Sequence, residues 1–320
     1  MPRSTASNRT ETHIRAFAED VAYYLTLTPR QLPSRYLYDE LGSSLFEAIC
    51  RLPWYPITRT EQHLLHVHRR TIFDRLAAIS TVVELGAGSG EKLVTLIAGL
   101  ASRDVTIHLV DVSAAALDKA TDAVAACCAL PIVTHQATYE VGLSEIRPSV
   151  SDGRTLVVFL GSNIGNFDPP GADAFLGGIR ASVRPGDALL LGADLVRPEA
   201  ELLLAYDDPL GVTAAFNRNL LVRVNRELCG DFDVNRFAHR AIWNAQESRV
   251  EMHLVSLEQQ RVRVQASGVD ITFDVNEPIW TESSYKYRIE DLGAMLERRE
   301  FRVVGQWIEN NFALTLAEAV

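Results

Sequence analysis

Short hydrophobic runs alternate with helical repeats through the middle of the chain. Five runs rich in β-branched and aliphatic residues predict strands, over residues 81–85, 105–110, 132–135, 155–160 and 188–193. Hydrophobic positions at helical spacing predict helices over about 91–100, 114–128 and 172–183. Strands that alternate with helices in this way form parallel sheets with helices on both faces, so the pattern predicts an α/β, doubly wound fold.

The two ends of the chain have a different pattern. Hydrophobic residues at helical spacing predict helices over 12–25 and about 60–78 near the start. Near the end, residues 289–299 are expected to be helical, and residues 301–308 and 312–316 to form two strands joined by the tight turn Glu309-Asn310-Asn311. We expect this closing antiparallel hairpin to return to the first sheet.

The predicted domain organisation is therefore discontinuous. Residues 60–196 and 287–320 form the sheet domain, and residues 12–59 and 197–286 form a second α+β lobe that binds the substrate. Residues 1–11 are polar and are expected to be a flexible N-terminus. A small ligand is expected in a cleft between the lobes.

Composition narrows the choice of partners. The 320 residues contain 31 Lys and Arg against 41 Asp and Glu, a net charge of -10, which disfavours nucleic acid or an anionic membrane as the main partner. No apolar run reaches the roughly 18 residues that a membrane helix needs. The four cysteines lack C-x-x-C spacing, which is typical of reduced thiols. We expect a cytoplasmic, monomeric protein that acts on a small molecule.

A glycine-rich turn follows the first strand of the sheet. In Glu84-Leu85-Gly86-Ala87-Gly88-Ser89-Gly90 the missing side chains let a ligand approach the backbone. A dinucleotide-binding turn needs a third glycine where this chain has Glu91, and that carboxylate would repel a pyrophosphate. Asp111, which ends the second strand, is placed to accept hydrogen bonds from ribose hydroxyls. The alternative is that Gly86–Gly90 is only a tight turn and Asp111 only a carboxylate at the start of a helix, with no ligand at either.

Several blocks of sequence together resemble one family over about residues 25–316. The blocks include Tyr38-Asp39-Glu40-Leu41-Gly42, Thr58-Arg59-Thr60-Glu61, residues 84–92, residues 159–166, residues 205–219 and Thr281-Glu282-Ser283-Ser284. In them the chain is similar to the histidine-specific N-α-methyltransferases of ergothioneine biosynthesis, which use S-adenosylmethionine (SAM) and whose relatives include N-methyltransferases of tryptophan derivatives. The resemblance implies a class I methyltransferase fold, with a mostly parallel seven-stranded sheet.

The resemblance also implies roles for individual residues. The implied cofactor-binding residues are Tyr38, Gly86, Gly88, Lys92, Asp111, Thr138 and Tyr139. The implied substrate-binding residues are Phe46, Asn166, Tyr206, Met252, Glu282 and Ser284, and the implied catalytic residues are Asn166, Tyr38 and Gly161. Two positions depart from the family pattern, because Pro56 stands where relatives often have a second tyrosine and Thr138 where many bacterial members have aspartate.

The residue types at 282 and 284 suit an imidazole. Its two nitrogens need partners when they are buried, and a carboxylate and a hydroxyl two residues apart on an extended segment point to the same side. The resemblance implies N-methylation of the α-amino group of L-histidine, up to the trimethylated betaine hercynine, and these residue types agree with it. Methylation of tryptophan or another aromatic amino acid stays open, as do a nucleotide-dependent oxidoreductase and a non-catalytic binding protein. No metal site is expected, although His63, His66 and His68 lie close in sequence.

Overall fold

Regular secondary structure covers most of the chain in the computed structural model, which describes residues 4–76, 78–100, 104–146 and 153–320. The α-helices are α1 (Ser4–Tyr24), α2 (Glu40–Ile49), α3 (Ile57–Asp74), α4 (Glu91–Ile97), α5 (Ala114–Cys127), α6 (Tyr139–Ile146), α7 (Pro169–Ser182), α8 (Glu199–Tyr206), α9 (Val212–Leu228) and α10 (Ile289–Arg298). The strands are β1 (Arg30–Gln31), β2 (Ile79–Leu85), β3 (Thr106–Asp111), β4 (Ile132–Gln136), β5 (Arg154–Phe159), β6 (Ala188–Asp194), β7 (Phe237–Asn244), β8 (Arg249–Ser256), β9 (Gln260–Val264), β10 (Val269–Phe273), β11 (Pro278–Tyr285), β12 (Phe301–Glu309) and β13 (Phe312–Ala319).

The chain divides into two compact units. The first contains the chain up to Tyr55 together with Arg197–Ser284, and the second contains Pro56–Val196 and Tyr285–Val320. We call them the insertion unit and the sheet unit. None of the helices in the described stretches is long and apolar enough to cross a membrane.

The sheet unit is built on seven strands in the order β12-β13-β6-β5-β2-β3-β4. The five strands from β6 to β4 in this order pair in parallel, and β13 is antiparallel to both β6 and β12. Helices α6, α7 and α10 pack on one face around Phe159, Phe175 and Leu296. Alternate residues such as Val82 and Leu109 are buried as well, so both faces of the sheet are covered.

The insertion unit has its own sheets. Strands β1, β11, β8 and β7 form a four-stranded sheet in that order, and β9 pairs with β10. Helix α9 packs on α2 and on β7 of this unit, with Phe216, Leu220 and Val224 buried. These elements show that the second part of the chain is α+β, as expected.

The predicted α/β class and the seven-stranded, mostly parallel sheet are confirmed, while several element bounds differ. Helix α1 begins at Ser4, so residues 4–11 are helical where a flexible segment was expected, and residues 1–3 lie outside the described range. The sheet unit begins at Pro56 rather than at residue 60, because α3 starts at Ile57. It resumes at Tyr285 rather than at residue 287, since the Tyr287 backbone bonds to Asp194 and Val196 beside β6.

Helix α6 was not predicted from the sequence. It is short and has Gly142 at its centre, which weakens the helical signal. A Cβ at position 142 would overlap the side chain of Val110 on β3, so glycine is what allows the helix to lie against the sheet. This helix matters for the site because Tyr139 is its first residue.

Candidate active site

The glycine-rich turn joins β2 to α4 in a conformation that needs glycine. Gly86, Gly88 and Gly90 all have positive φ values, of 81°, 52° and 74°. A Cβ at Gly90 would stand 2.8 Å from the Cα of Ala120, so α4 and α5 approach closely there. A Cβ at Gly88 would meet nothing within 4 Å, so the backbone of the turn is open to a ligand at that residue.

Asp111 ends β3 beside this turn. Its carboxylate accepts hydrogen bonds from the backbone N–H groups of Ser113 at 2.8 Å and Gly88 at 3.4 Å. Burial raises the pKa of Asp111, and these N–H groups act in the opposite direction. The carboxylate is thus held beside the turn, at the strand end where the sequence placed it.

The next strand end contributes an aromatic ring. Tyr139 packs against Phe159 and Phe175, with ring centroids 5.4 and 5.6 Å away. Its hydroxyl oxygen would be 3.2 Å from a Cβ at Gly86, so the ring borders the turn. Burial raises the pKa of Tyr139, which keeps the hydroxyl protonated. Thr138, just before the helix, is exposed, and its carbonyl accepts the N–H of Gly142.

The loop after β5 completes this edge of the sheet unit. Gly161 has a φ of 78°, and a Cβ there would lie 3.4 Å from Nζ of Lys92 and 3.5 Å from the Asn163 amide. The Asn163 amide also lies 3.4 Å from the Cβ position of Gly86. Asn166 closes the following turn and is exposed. Lys92 itself forms an ion pair with the buried Glu61, with a separation of 2.5 Å.

A continuous series of aromatic rings lies in the insertion unit. Tyr38 contacts Phe46 edge-on, with ring centroids 5.5 Å apart, and both rings pack against Phe216. Phe46 is followed by Tyr55 at 6.3 Å, and Tyr55 by Tyr206 at 6.2 Å. The predicted residues Tyr38, Phe46 and Tyr206 are thus joined within one unit. Tyr55 links them, and the sequence analysis gave it no role.

Tyr206 and Ser284 form a polar pair at one end of this series. Their hydroxyl oxygens are 2.8 Å apart, and both residues are buried. Strand β11 carries both Glu282 and Ser284, so the extended conformation assumed in the sequence analysis is present and the two side chains share a face. The Trp280 indole donates a hydrogen bond to the Glu282 carbonyl at 3.0 Å, which fixes the strand at that residue.

Met252 lies on β8 in the same sheet. Its side chain is buried with 2% exposure, and its carbonyl accepts a hydrogen bond from the Thr281 hydroxyl at 2.9 Å. This bond links the backbone of β8 to β11 one residue before Glu282.

A buried histidine, His239, forms a hydrogen bond with the backbone of Tyr206. His239 donates from Nε2 to the Tyr206 carbonyl at 2.8 Å and accepts at Nδ1 from the Asn217 amide at 2.9 Å. Its side chain is 1% exposed, and burial lowers the pKa of His239. A neutral imidazole satisfies both bonds, whereas a protonated one would place an N–H against the Asn217 amide donor.

Comparison with known proteins decides between the classes that the sequence left open. A family profile described as "Histidine-specific methyltransferase, SAM-dependent" matches residues 17–319. The chain belongs to this family. It is 41% identical over 307 residues to a histidine N-alpha-methyltransferase of Mycolicibacterium smegmatis, and the match covers 94% of each chain.

Two further relatives agree with this membership. A protein of the same name from Mycobacterium tuberculosis is also 41% identical over 307 residues, with 94% of each chain covered. "Ergothioneine biosynthesis protein 1" of Schizosaccharomyces pombe is 28% identical over 87% of this chain and 37% of its own length. The predicted family, and with it SAM as the cofactor, is confirmed.

The edge of the sheet unit fits the cofactor of this methyltransferase family. The open backbone at Gly88 provides room for a ligand main chain, and the Asp111 carboxylate provides acceptors for ribose hydroxyls. The half-buried ring of Tyr139 offers a flat surface beside the turn. Glu91 opens α4 directly after the turn, which disfavours a pyrophosphate there.

Three residues of the methyltransferase adjoin the candidate site residues and were given no role from the sequence. Glu61 was part of a quoted family block, Asn163 lies between Gly161 and Asn166, and Tyr55 precedes the unusual Pro56. The block itself was a signal for Glu61, but its contact with Gly161 spans 100 residues of sequence and no local pattern indicates it. Among the described residues no group of three or more His, Cys, Asp or Glu side chains could hold a metal ion.

The state of His239 generates a prediction about pH. Its pKa is lower in the folded protein than the ordinary value of 6.5, so the unfolded chain binds more protons between the two values. The free energy of unfolding should therefore fall as the pH is lowered from about 7 to about 5. His239→Gln should reduce this dependence in urea denaturation followed across that range. The exposed His13→Gln is the matched control and should keep the wild-type slope, and equal slopes for all three proteins would contradict the prediction.

Proposed function

We propose that this protein transfers methyl groups from SAM to the α-amino group of L-histidine and continues to the trimethylated betaine, hercynine. The family match supports the reaction type, and the names of the two mycobacterial relatives support the substrate. The observation that carries the proposal is the Tyr206–Ser284 hydroxyl pair beside Glu282 on β11.

The cofactor residues are proposed from the edge of the sheet unit. Gly86, Gly88, Lys92, Asp111, Thr138 and Tyr139 would hold SAM there, and Tyr38 is assigned to it from the insertion unit by resemblance. When bound, SAM supplies an electrophilic methyl group. The task left to the protein is then to orient a neutral amine, a contribution that alone can lower a barrier by several kcal/mol.

The polar residues of the insertion unit would recognise histidine. The Glu282 carboxylate and the Ser284 hydroxyl offer an acceptor and a donor–acceptor to the two imidazole nitrogens, and Met252 would pack against the ring. An indole has one N–H and more bulk, so this set favours histidine over tryptophan. The Tyr206 hydroxyl would donate to the substrate carboxylate, and Asn166 would contact the α-amino and carboxylate groups.

Repeated transfer to one nitrogen needs room for the methyl groups that accumulate. Gly161 adds no side chain beside the reacting amine, and Phe46 offers an apolar wall. Before each transfer the ammonium form of the nitrogen must lose a proton, because only the neutral amine has a lone pair to accept the methyl group. We assign its removal to water held near Asn166 or Tyr38, which are both exposed in this structure. A monomer with reduced thiols in the cytoplasm fits this role, and all four cysteines are in the thiol form.

The substrate is tested by incubating the protein with SAM and a panel of amino acids and measuring product mass. Histidine should gain up to three methyl groups, and mono- and dimethylated species should appear early and then decline. A mixture of histidine and tryptophan should yield methylated histidine only. Methylation of tryptophan in place of histidine would contradict the role of Glu282 and Ser284.

Removing the Tyr206 hydroxyl tests recognition of the carboxylate. Tyr206→Phe should weaken histidine binding by about 1–2 kcal/mol, because a charged group loses one hydrogen bond. Isothermal titration calorimetry with histidine in the presence of S-adenosylhomocysteine measures this. Tyr23→Phe is the control, since Tyr23 is 59% exposed on α1. Equal histidine affinity in Tyr206→Phe and wild type would refute the role of Tyr206.

A further inference from the structure

The block Thr58-Arg59-Thr60-Glu61 has no part in the function proposed above, yet it places a charged side chain inside the protein. Glu61 lies on α3 and is 0% exposed. An ionised carboxylate at such depth is costly unless it is paired and hydrogen-bonded. Its partners therefore show what the residue holds.

Glu61 bonds to two residues that the proposed function assigns to the site. Both carboxylate oxygens accept from the backbone N–H of Gly161, at 2.9 and 2.8 Å. The Lys92 ammonium lies 2.5 Å from Oε2. One carboxylate thus connects the helix after the glycine-rich turn with the loop after β5.

The neighbouring strand leaves space for this carboxylate. A Cβ at Gly192, in the middle of β6, would overlap Oε1 of Glu61. Glycine is poor in the interior of a strand, because it adds no packing and loses more entropy than other residues. Its presence at position 192 is explained by the carboxylate that occupies the place of its side chain.

Glu84 is a second buried carboxyl group that interacts electrostatically with Lys92. It is 3% exposed, and its Oε2 has no hydrogen-bond partner among the residues that the structure describes. Burial raises the pKa of Glu84 to about 8, the charges of Glu61 and Asp111 act in the same direction, and Lys92 opposes them. The ion pair of Lys92 is with Glu61, whose Oε2 lies 2.5 Å from the Lys92 Nζ.

We propose that Glu61 is a positioning residue of the cofactor site, holding the Lys92 ammonium and the Gly161 backbone in the arrangement that receives SAM. This inference rests on the proposed function, which assigns Lys92 to the cofactor and Gly161 to the reacting amine. The competing interpretation is an ion pair that only stabilises the fold. The two differ in what happens to cofactor affinity when the charge is removed.

Glu61→Gln removes the charge and keeps an acceptor for the Gly161 N–H. Losing a hydrogen bond between charged groups should weaken S-adenosylhomocysteine binding roughly tenfold to a hundredfold in calorimetry. In kinetics, KM for SAM should rise while KM for histidine changes little. A purely structural loss would lower the active fraction and therefore kcat, and would leave both KM values and the binding constant unchanged.

Asp187→Asn is the matched control. Asp187 is also buried, at 3% exposure, and accepts backbone N–H bonds from Thr155 at 2.8 Å and Arg184 at 2.7 Å. It lies just before β6, at the opposite end of the strand from the SAM site. This variant should lower the unfolding midpoint and leave the affinity for S-adenosylhomocysteine as in wild type.

A double-mutant cycle with Lys92→Met provides the decisive comparison, because it measures the effect of Glu61→Gln on affinity with and without the Lys92 ammonium. If Glu61 acts through Lys92, adding Glu61→Gln to Lys92→Met should cause no further loss of affinity beyond about twofold. A full additional loss in the double variant, or wild-type affinity in Glu61→Gln, would overturn the inference. Failure of the wild-type protein itself to bind S-adenosylhomocysteine would instead overturn the proposed function, and the inference with it.

Discussion

Parallel pairing of β2 with β3 and β5, and of β3 with β4, brings the carboxyl ends of four strands to one edge of the sheet unit. Every residue of this unit that we assign to the cofactor or the reacting amine lies at the end of one of those strands or in the segment that follows it. The backbone there can turn sharply only because glycine tolerates positive φ values. Since strand pairing assembles this edge, its residues come from segments that are far apart in the sequence.

Burial then decides which charges this edge can carry. Burial raises the pKa of Glu84, and the nearby carboxylates of Glu61 and Asp111 act in the same direction, while Glu61 itself is paired with Lys92. The Asp111 carboxylate accepts hydrogen bonds from backbone N–H groups of Ser113 and Gly88. The repulsion among these acidic groups is therefore reduced by the Lys92 ammonium and by the peptide backbone.

Recognition of the amino acid depends on a different kind of contact. In the insertion unit, the Tyr55 ring links Phe46 of α2 to Tyr206, and the Tyr206 hydroxyl is paired with Ser284 on β11. The neutral imidazole of His239 holds the Tyr206 carbonyl, so the polar pair is supported by a residue that is itself buried. The Tyr206 and Ser284 hydroxyls lie 78 residues apart in the sequence and meet because α8 packs against the sheet of the insertion unit.

Local pattern predicted the elements well where a strong period marked them. The β-branched runs of β2, β3 and β5 and the closing hairpin were found within a few residues, and Asp111 was placed from its position at a strand end. Helix α6 was missed because Gly142 weakens its helical signal, although that glycine is required for contact with Val110. The role of Glu61 was beyond reach, since Gly161 and Gly192 become its neighbours only when the sheet has formed.

We propose that the methyl groups are placed on the α-nitrogen of histidine, and the position of the transferred carbon in the product tests this. Histidine can be incubated with the protein and SAM that carries a 13C-labelled methyl group, and the product analysed by NMR. We expect three-bond coupling between the labelled methyl carbon and the α-proton of histidine, with no label on the ring. A label on an imidazole nitrogen, or no transfer to histidine, would contradict it.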